Sequence, residues 1–439
     1  MKRPRIVVCG GGLAGIAAAC ESVGLGAEVT LVERRPFLGG RAFSFTDDQG
    51  RELDNGQHVF LGCCPAYVGL MRVLGTDGDL FRQPLLRIPV LSRDGGSALL
   101  GATPGLPSPV HLTKALAAYS HLGVPERAAV ARAMSILGAL GARRRARLDR
   151  VAFSDWLADH GQTRNAIERF WDLVVLPTCN DRSDRVSAAL AAFVFSEGML
   201  SSRTASAVGW SRVPLTRLLE PSVERFLTAH GSRVIRGQAV AEAGPGGVVL
   251  GDGAELDADG VVLALPPERT RQVASAALPE DPGLGHSPIV NVHLFHDRRV
   301  LEDPFVAVID SPLQWVFDKR EMSGAPGDPH VVVSISGAHS EMGVPRAELA
   351  EAMAEELART IPAARRAKLR GWAVVKEARA TFQAGPGQAA RRPGARTPLE
   401  RVALAGAWTA TGWPATMEGA IRSGIRAARE VMGDAPPAT

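Results

Sequence analysis

Apolar residues in this chain fall into short runs separated by glycines. Ile6-Val7-Val8-Cys9 is a run of strand length that stops at Gly10-Gly11-Gly12, and small and apolar residues resume from Leu13 to Val23 at helical spacing. The pattern predicts a strand, a glycine turn and a helix, followed by a second strand from Glu28 to Val32. Further on, Ser232 to Val240, Gly247 to Leu256 and Gly260 to Pro266 read as strands with glycine turns. Lys114 to His121, Arg127 to Leu140 and Arg346 to Ile361 have helical periodicity. Ile289 to Phe295, Val306 to Ile309, Trp315 to Phe317 and Val331 to Ser336 have strand character. Near the end, a strand (Arg401 to Gly406) and a loop (Ala407 to Pro414) precede a helix from Thr416 to Met432.

Composition adds exclusions. The 439 residues are 46% hydrophobic and 22% charged, the balance of a folded protein and not of a disordered one. The net charge of +4 comes from an arginine-rich sequence whose aromatics, 5% of residues, are scattered, so a nucleic-acid surface of clustered cations and stacking rings is not expected. Cys9, Cys20, Cys63, Cys64 and Cys179 form no CxxC pair, which argues against a disulfide framework or a zinc site and fits a reducing cytoplasm. The apolar run after Lys2, Arg3 and Arg5 is too short for a signal-peptide core, and no stretch approaches the roughly 18 apolar residues of a bilayer span. Neither a repeat nor a low-complexity tract is evident, and only the tail Gly433 to Thr439 reads as disordered.

The strongest chemical signal lies in Gly10-Gly11-Gly12-Leu13-Ala14-Gly15. Gly10 permits a tight turn, Gly12 lets backbone approach a pyrophosphate, and Gly15 lets the helix sit close to the strand. The free N–H groups of the helix start, from Leu13 and Ala14 onward, would face the anion. Glu33 ends the next strand at the interval of roughly 20 residues at which a carboxylate reaches ribose hydroxyls. The segment Glu33-Arg34-Arg35-Pro36-Phe37-Leu38-Gly39-Gly40-Arg41 then resembles the flavin-containing amine oxidase and phytoene desaturase superfamily, in which a Gly-Gly-Arg follows the ribose acid. The resemblance implies non-covalent FAD, with Arg34, Gly40 and Arg41 joining the glycines and Glu33 around it. It also implies an α/β protein: a Rossmann-type FAD-binding domain assembled from discontinuous segments, with a mixed α+β substrate domain of the amine oxidase type. The segments are expected at 1–80, 216–279 and 393–434 for FAD, and for substrate at 81–215, a helical segment, and 280–392, a sheet and helix, with 435–439 as a tail.

Leu53 to Gly62 resembles the superfamily's stretch beside the isoalloxazine ring, which assigns Gly56, Gln57 and His58 to the cofactor site. His58 is the titratable side chain there that could give up a proton near neutral pH, or a histidine that bonds a neighbouring carbonyl. The resemblance places Val234 on the adenine side. It also places Gly406, Thr416, Met417 and Glu418 where a helix N-terminus closes over the flavin's electron-rich edge. No cysteine lies near that closing segment to form a thioether to the flavin.

Two positions depart from amine oxidases. Asn291 stands where those enzymes carry a lysine on the strand facing the flavin, and Thr416 stands where they carry one of two cage aromatics. Leu53 to Val59, Trp408 to Ala420 and, more loosely, Trp171 to Ser187 (with Pro177, Asn180 and Ser187) resemble the bacterial hydroxysqualene dehydroxylases of hopanoid biosynthesis. That resemblance implies reduction of the allylic alcohol hydroxysqualene to squalene by reduced FAD, with His58 as acid and functional coupling to squalene-forming synthases. A carotenoid-type desaturase would use the same motifs with electrons flowing the other way, and an amine oxidase-like flavoenzyme ranks behind it. A catalytically silent scaffold is disfavoured by the intact Gly10, Gly12, Gly15, Glu33, Gly40, Arg41 and Met417. Residues 128–141, almost wholly apolar or small, precede Arg143, Arg144, Arg145, Arg147 and Arg150. This is either a docking face for the inner side of the cytoplasmic membrane or a core helix ending in a solvated basic turn.

Overall fold

The computed structural model describes residues 3–324 and 329–433. The expected tail, and Lys2 at the other end, lie outside the described residues, apart from Gly433, which takes a left-handed conformation after the last helix.

Within the described residues, five strands from separated parts of the chain pair in parallel, in the order Arg233–Arg236, Glu28–Glu33, Arg5–Cys9, Gly260–Leu263 and Val402–Leu404. Side chains alternate between the faces of a strand. Ile6 and Val8 accordingly join one core with the helices Leu13–Gly24, Leu215–Ala229 and Met417–Met432. Val7 and Cys9 face a second core with Leu263, Leu404 and the small sheet of Val240–Gly244, Gly247–Leu250 and Glu255–Asp257. A parallel sheet covered on both faces needs this near-continuous apolar composition.

Glycine sets how closely these layers approach. Gly10 has φ +108°, and a β-carbon on Gly15 would lie 1.8 Å from the Gly10 carbonyl oxygen. Where the first and last helices cross, a β-carbon on Gly424 would lie 2.0 Å from the Ala14 carbonyl oxygen. Both contacts are with backbone, so no rotamer change can relieve them.

A seven-stranded mixed sheet runs Leu369–Phe382, His286–His296, His330–Ser336, Trp315–Asp318, Phe305–Ile309, Arg87–Ser92 and Ser97–Gly101. Three differences from the sequence reading appear here. The segment 81–215, expected to be helical, donates Arg87–Ser92 and Ser97–Gly101 to this sheet before turning helical. The sheet is closed by the 14-residue strand Leu369–Phe382, whose mixed polar pattern shows no clear alternation. The helix expected over Lys114 to His121 is only Thr113–Ala117. Val290, Val292 and Leu294 point to the core under helix Arg346–Thr360, which leaves Asn291 and His293 on the opposite face.

The helical region packs around Phe153, Trp171 and Phe195, all fully buried. Asn180, left-handed at φ 55°, fastens it to the large sheet: its amide donates to the Ser287 carbonyl and accepts from Gly337 N, each at 3.0 Å. Helix Val124–Ala139 buries Val130, Ala133, Met134 and Leu137 in this core, so the apolar face of residues 128–141 is interior and not a docking face. Arg143, Arg144, Arg147 and Arg150 beyond it are exposed.

The substitution Gly15→Val puts three side-chain carbons where backbone already lies. It is expected to cost more than about 4 kcal/mol and to abolish flavin retention, read as absorbance near 450 nm per mole of purified protein together with the urea midpoint. Normal flavin content in this variant would show that the close contact is not required.

Candidate active site

The N-terminal turn brings the glycine-motif residues together. Gly12 bridges to Gly39, and a β-carbon on Gly40 would come within 2.9 Å of Gly12 Cα, so the Gly39-Gly40 loop lies directly against the turn. Glu33 is buried at the end of its strand. Its carboxylate accepts from Gly11 N at 2.7 Å and Arg35 N at 2.8 Å, leaving lone pairs for ribose hydroxyls. Leu13 and Ala14 begin the first helix and are buried, while Val234 pairs in register with Leu31. Arg34 is exposed. Arg41 donates to the Ala380 carbonyl at 2.9 Å, which uses one of its five N–H donors. The glycine contacts, the buried acid and the helix start fit a dinucleotide.

The closing segment meets this turn through the helix crossing at Gly424 and Ala14. Gly406, at φ +143°, donates its N–H to Ser423 Oγ, and Thr416 caps the last helix by accepting from Gly419 N at 3.2 Å. Met417 begins that helix and packs against the first core. Glu418 is 1% exposed. Its side chain accepts from Ala66 N at 3.1 Å and Tyr67 N at 2.8 Å and pairs with Arg422 at 2.7 Å. The carboxylate therefore caps helix Pro65–Leu74, and only its backbone N–H remains on the cofactor side.

Gly56, Gln57 and His58 sit at the edge of a polar cluster. Asp54 and Lys319 form an ion pair at 2.6 Å with side chains 4% and 3% exposed. Lys319 Nζ also donates to Ser323 Oγ at 2.7 Å and Gln57 Oε1 at 3.1 Å, so its three protons are all engaged. Asp54 accepts from Ser44 Oγ at 2.6 Å, Ser323 Oγ at 2.5 Å and Leu215 N at 3.2 Å. Burial alone would raise the Asp54 pKa, but the Lys319 charge and these hydrogen bonds hold it well below the usual carboxylate range. Gln57, expected at the cofactor, is held by Lys319 and by a 3.1 Å contact to Met322 Sδ.

His58 sits in surroundings that work against its protonation. Part of its ring remains accessible, yet the surrounding protein disfavours imidazolium. Burial outweighs the attraction of Asp54 and lowers the pKa to about 4. At neutral pH the ring is uncharged and bonds locally, with Nε2 3.4 Å from Asn55 Oδ1. His293 and His330 stand nearby with ring centroids 5.7 Å apart, and burial pushes them down to about 3 and about 2.

Sequence reasoning passed over Asp54 and Lys319 as functional residues. One signal was available: lysine occurs only at 2, 114, 319, 368 and 376 in a chain that otherwise uses arginine. A buried compact ammonium is one place where arginine cannot substitute.

The family described as "Flavin containing amine oxidoreductase" matches residues 13–432. The hydroxysqualene dehydroxylase of Rhodopseudomonas palustris is 31% identical, over 97% of each chain. The zeta-carotene desaturase of Zea mays is 26% identical over 98% of this chain and 83% of its own. The cyclohexylamine oxidase from Brevibacterium oxydans superposes with a TM-score of 0.72 at 17% identity over 99% of both chains, which establishes the fold.

The buried histidines make stability depend on pH. Their folded pKa values lie below the ordinary 6.5, so between about pH 6.5 and 4 the unfolded chain binds protons that the folded one refuses. The stabilisation is complete above about 6.5 and is lost as pH falls, by up to about 1.4 kcal/mol per pH unit for each histidine. Urea midpoints are expected to drop from pH 7.5 to pH 5, with a flatter slope in His330→Phe. Equal midpoints at the two pH values would refute neutral burial.

Proposed function

The chain is a member of the flavin-containing amine oxidoreductase family, an FAD-dependent oxidoreductase, and from that premise we propose that it removes the hydroxyl group of hydroxysqualene reductively to give squalene. The observation that carries this reading is the 31% identity to a hydroxysqualene dehydroxylase over nearly the full length of both chains. The site supports it on two counts. Asn291, not a lysine, approaches Gly56, and Thr416 serves as a helix cap where an amine cage would need an aromatic ring.

Held by the Gly10–Gly15 turn, Glu33 and the start of the last helix, reduced FAD would supply the hydride that replaces the hydroxyl, so that one alcohol and one reduced FAD would give one hydrocarbon, one water and one oxidised FAD. The protein's contribution is orientation and charge. The Asp54–Lys319 pair holds Gln57, and with it the Gly56–His58 loop, at a fixed position. Neutral His58 offers a hydrogen bond and no spare proton at pH 7.

The second reading, an isoprenoid desaturase, is favoured by the 26% identity to zeta-carotene desaturases and differs in the direction of electron flow. Anaerobic enzyme reduced by dithionite should reoxidise stoichiometrically on addition of hydroxysqualene and yield squalene. If the reduced enzyme stayed reduced while the oxidised enzyme took electrons from a polyene, the desaturase reading would replace this one.

The lipid substrate also gives a reason for peripheral contact with an anionic membrane, and for work beside squalene-forming synthases. Leu106 and Val110 are exposed on a loop tied by Ser108 Oγ to the Leu200 carbonyl at 2.6 Å. Leu200 in turn lies against Gly138, close to the exposed arginines that follow Ala142. An apolar tip beside a cationic run suits a negatively charged bilayer. Replacing Arg143, Arg144, Arg145, Arg147 and Arg150 by Gln is expected to abolish pelleting with phosphatidylglycerol vesicles, and unchanged pelleting would exclude this surface.

A further inference from the structure

Asn291 lies on strand His286–His296 with 1% of its surface exposed, and its carbonyl oxygen is buried with no hydrogen-bond partner among the described residues. A buried amide group left unpaired is costly, by about 1–3 kcal/mol, and most such groups in folded proteins are paired. Neighbouring Ser334 and Val375, its partners in register on either side, leave it unsatisfied. The other end of the same carboxamide faces Gly56. Asn291 Nδ2 stands 3.3 Å, and His58 Nε2 3.4 Å, from the point where a β-carbon on Gly56 would lie. Two polar side chains from different parts of the fold thus flank a glycine, at the loop that the Asp54–Lys319 pair holds in place.

We propose that Asn291, with His58 across Gly56, is the element that recognises the hydroxyl group of an isoprenoid alcohol and selects it over the corresponding hydrocarbon. The inference rests on the dehydroxylation reading and deepens it by naming what the site discriminates. A hydroxyl has one donor and two acceptor positions. With the carboxamide turned so that its unpaired oxygen faces Gly56, the hydroxyl can give a hydrogen bond to that oxygen and take one from His58 Nε2–H, whereas a hydrocarbon leaves the carboxamide unpaired in an apolar site. Sites built to bond a substrate hydroxyl reject the analogue that lacks it far more strongly than apolar pockets distinguish a methylene. Rotation of the carboxamide exchanges its oxygen and nitrogen, so the group can serve the hydroxyl in either orientation.

The test is binding to oxidised holoenzyme, read from perturbation of the flavin spectrum on titration with hydroxysqualene and, separately, with squalene. Wild type is expected to prefer the alcohol. Asn291→Leu, similar in size but without polar atoms, is expected to lose about 10- to 100-fold in affinity for the alcohol, in line with one lost hydrogen bond to a buried partner, and to keep its affinity for squalene. Asn291→Ser withdraws the amide from Gly56 with a smaller change in polarity and carries the test if the leucine variant does not retain flavin. Equal losses for both ligands would assign Asn291 a structural role and overturn the proposal, as would unchanged discrimination in both variants. Because binding is measured without turnover, either result leaves the dehydroxylation reading to be judged by the anaerobic experiment.

Discussion

The Asp54 carboxylate and the Lys319 ammonium face each other at 2.6 Å with almost no contact with water. Removing two such charges from solvent costs several kcal/mol for each ion and is offset only when every remaining lone pair and proton finds a partner. Here they do, through Ser44, Gln57, Ser323 and the Leu215 amide. Each partner belongs to a different stretch of chain, so satisfying the pair fixes the relative positions of the loop after Leu53, the start of helix Leu215–Ala229 and the end of strand Trp315–Asp318. The loop that carries Gly56 and His58 is held from behind by this network.

The same low-polarity surroundings explain the histidines. A protein interior that tolerates one fully compensated ion pair does not favour a second, uncompensated cation, so His58, His293 and His330 remain neutral. The positive charge of the site resides on Lys319, a residue brought there by the large sheet and not by the N-terminal motifs.

On the cofactor side the constraint is steric. Gly10, Gly15, Gly40 and Gly424 each mark a place where backbone meets backbone, and together they set the spacing of the first helix, the last helix and the Gly39-Gly40 loop. Glu418 connects the last helix to Pro65–Leu74 through two backbone N–H groups, so the closing segment and the flavin-side stretch form one unit.

How far the chain could be read follows from the range of the interactions involved. The strand–turn–helix at the N-terminus, the acid at Glu33 and the helix after Thr416 were legible because each is defined by local spacing: strand period, glycine position and capping residue act within a few residues. Strand Leu369–Phe382 was not legible, since its polar pattern makes sense only once His286–His296 lies beside it. The apolar run at 128–141 was ambiguous because core and surface helices can look alike in sequence, and packing against Trp171 and Phe195 decided for the core. Asp54 and Lys319 are separated by most of the chain, and so are Asn291 and Gly56. A pairing of that kind leaves no periodic trace. Sequence by itself determined the dinucleotide chemistry, whereas only the tertiary structure decided which charges and which unpaired amide meet beside it.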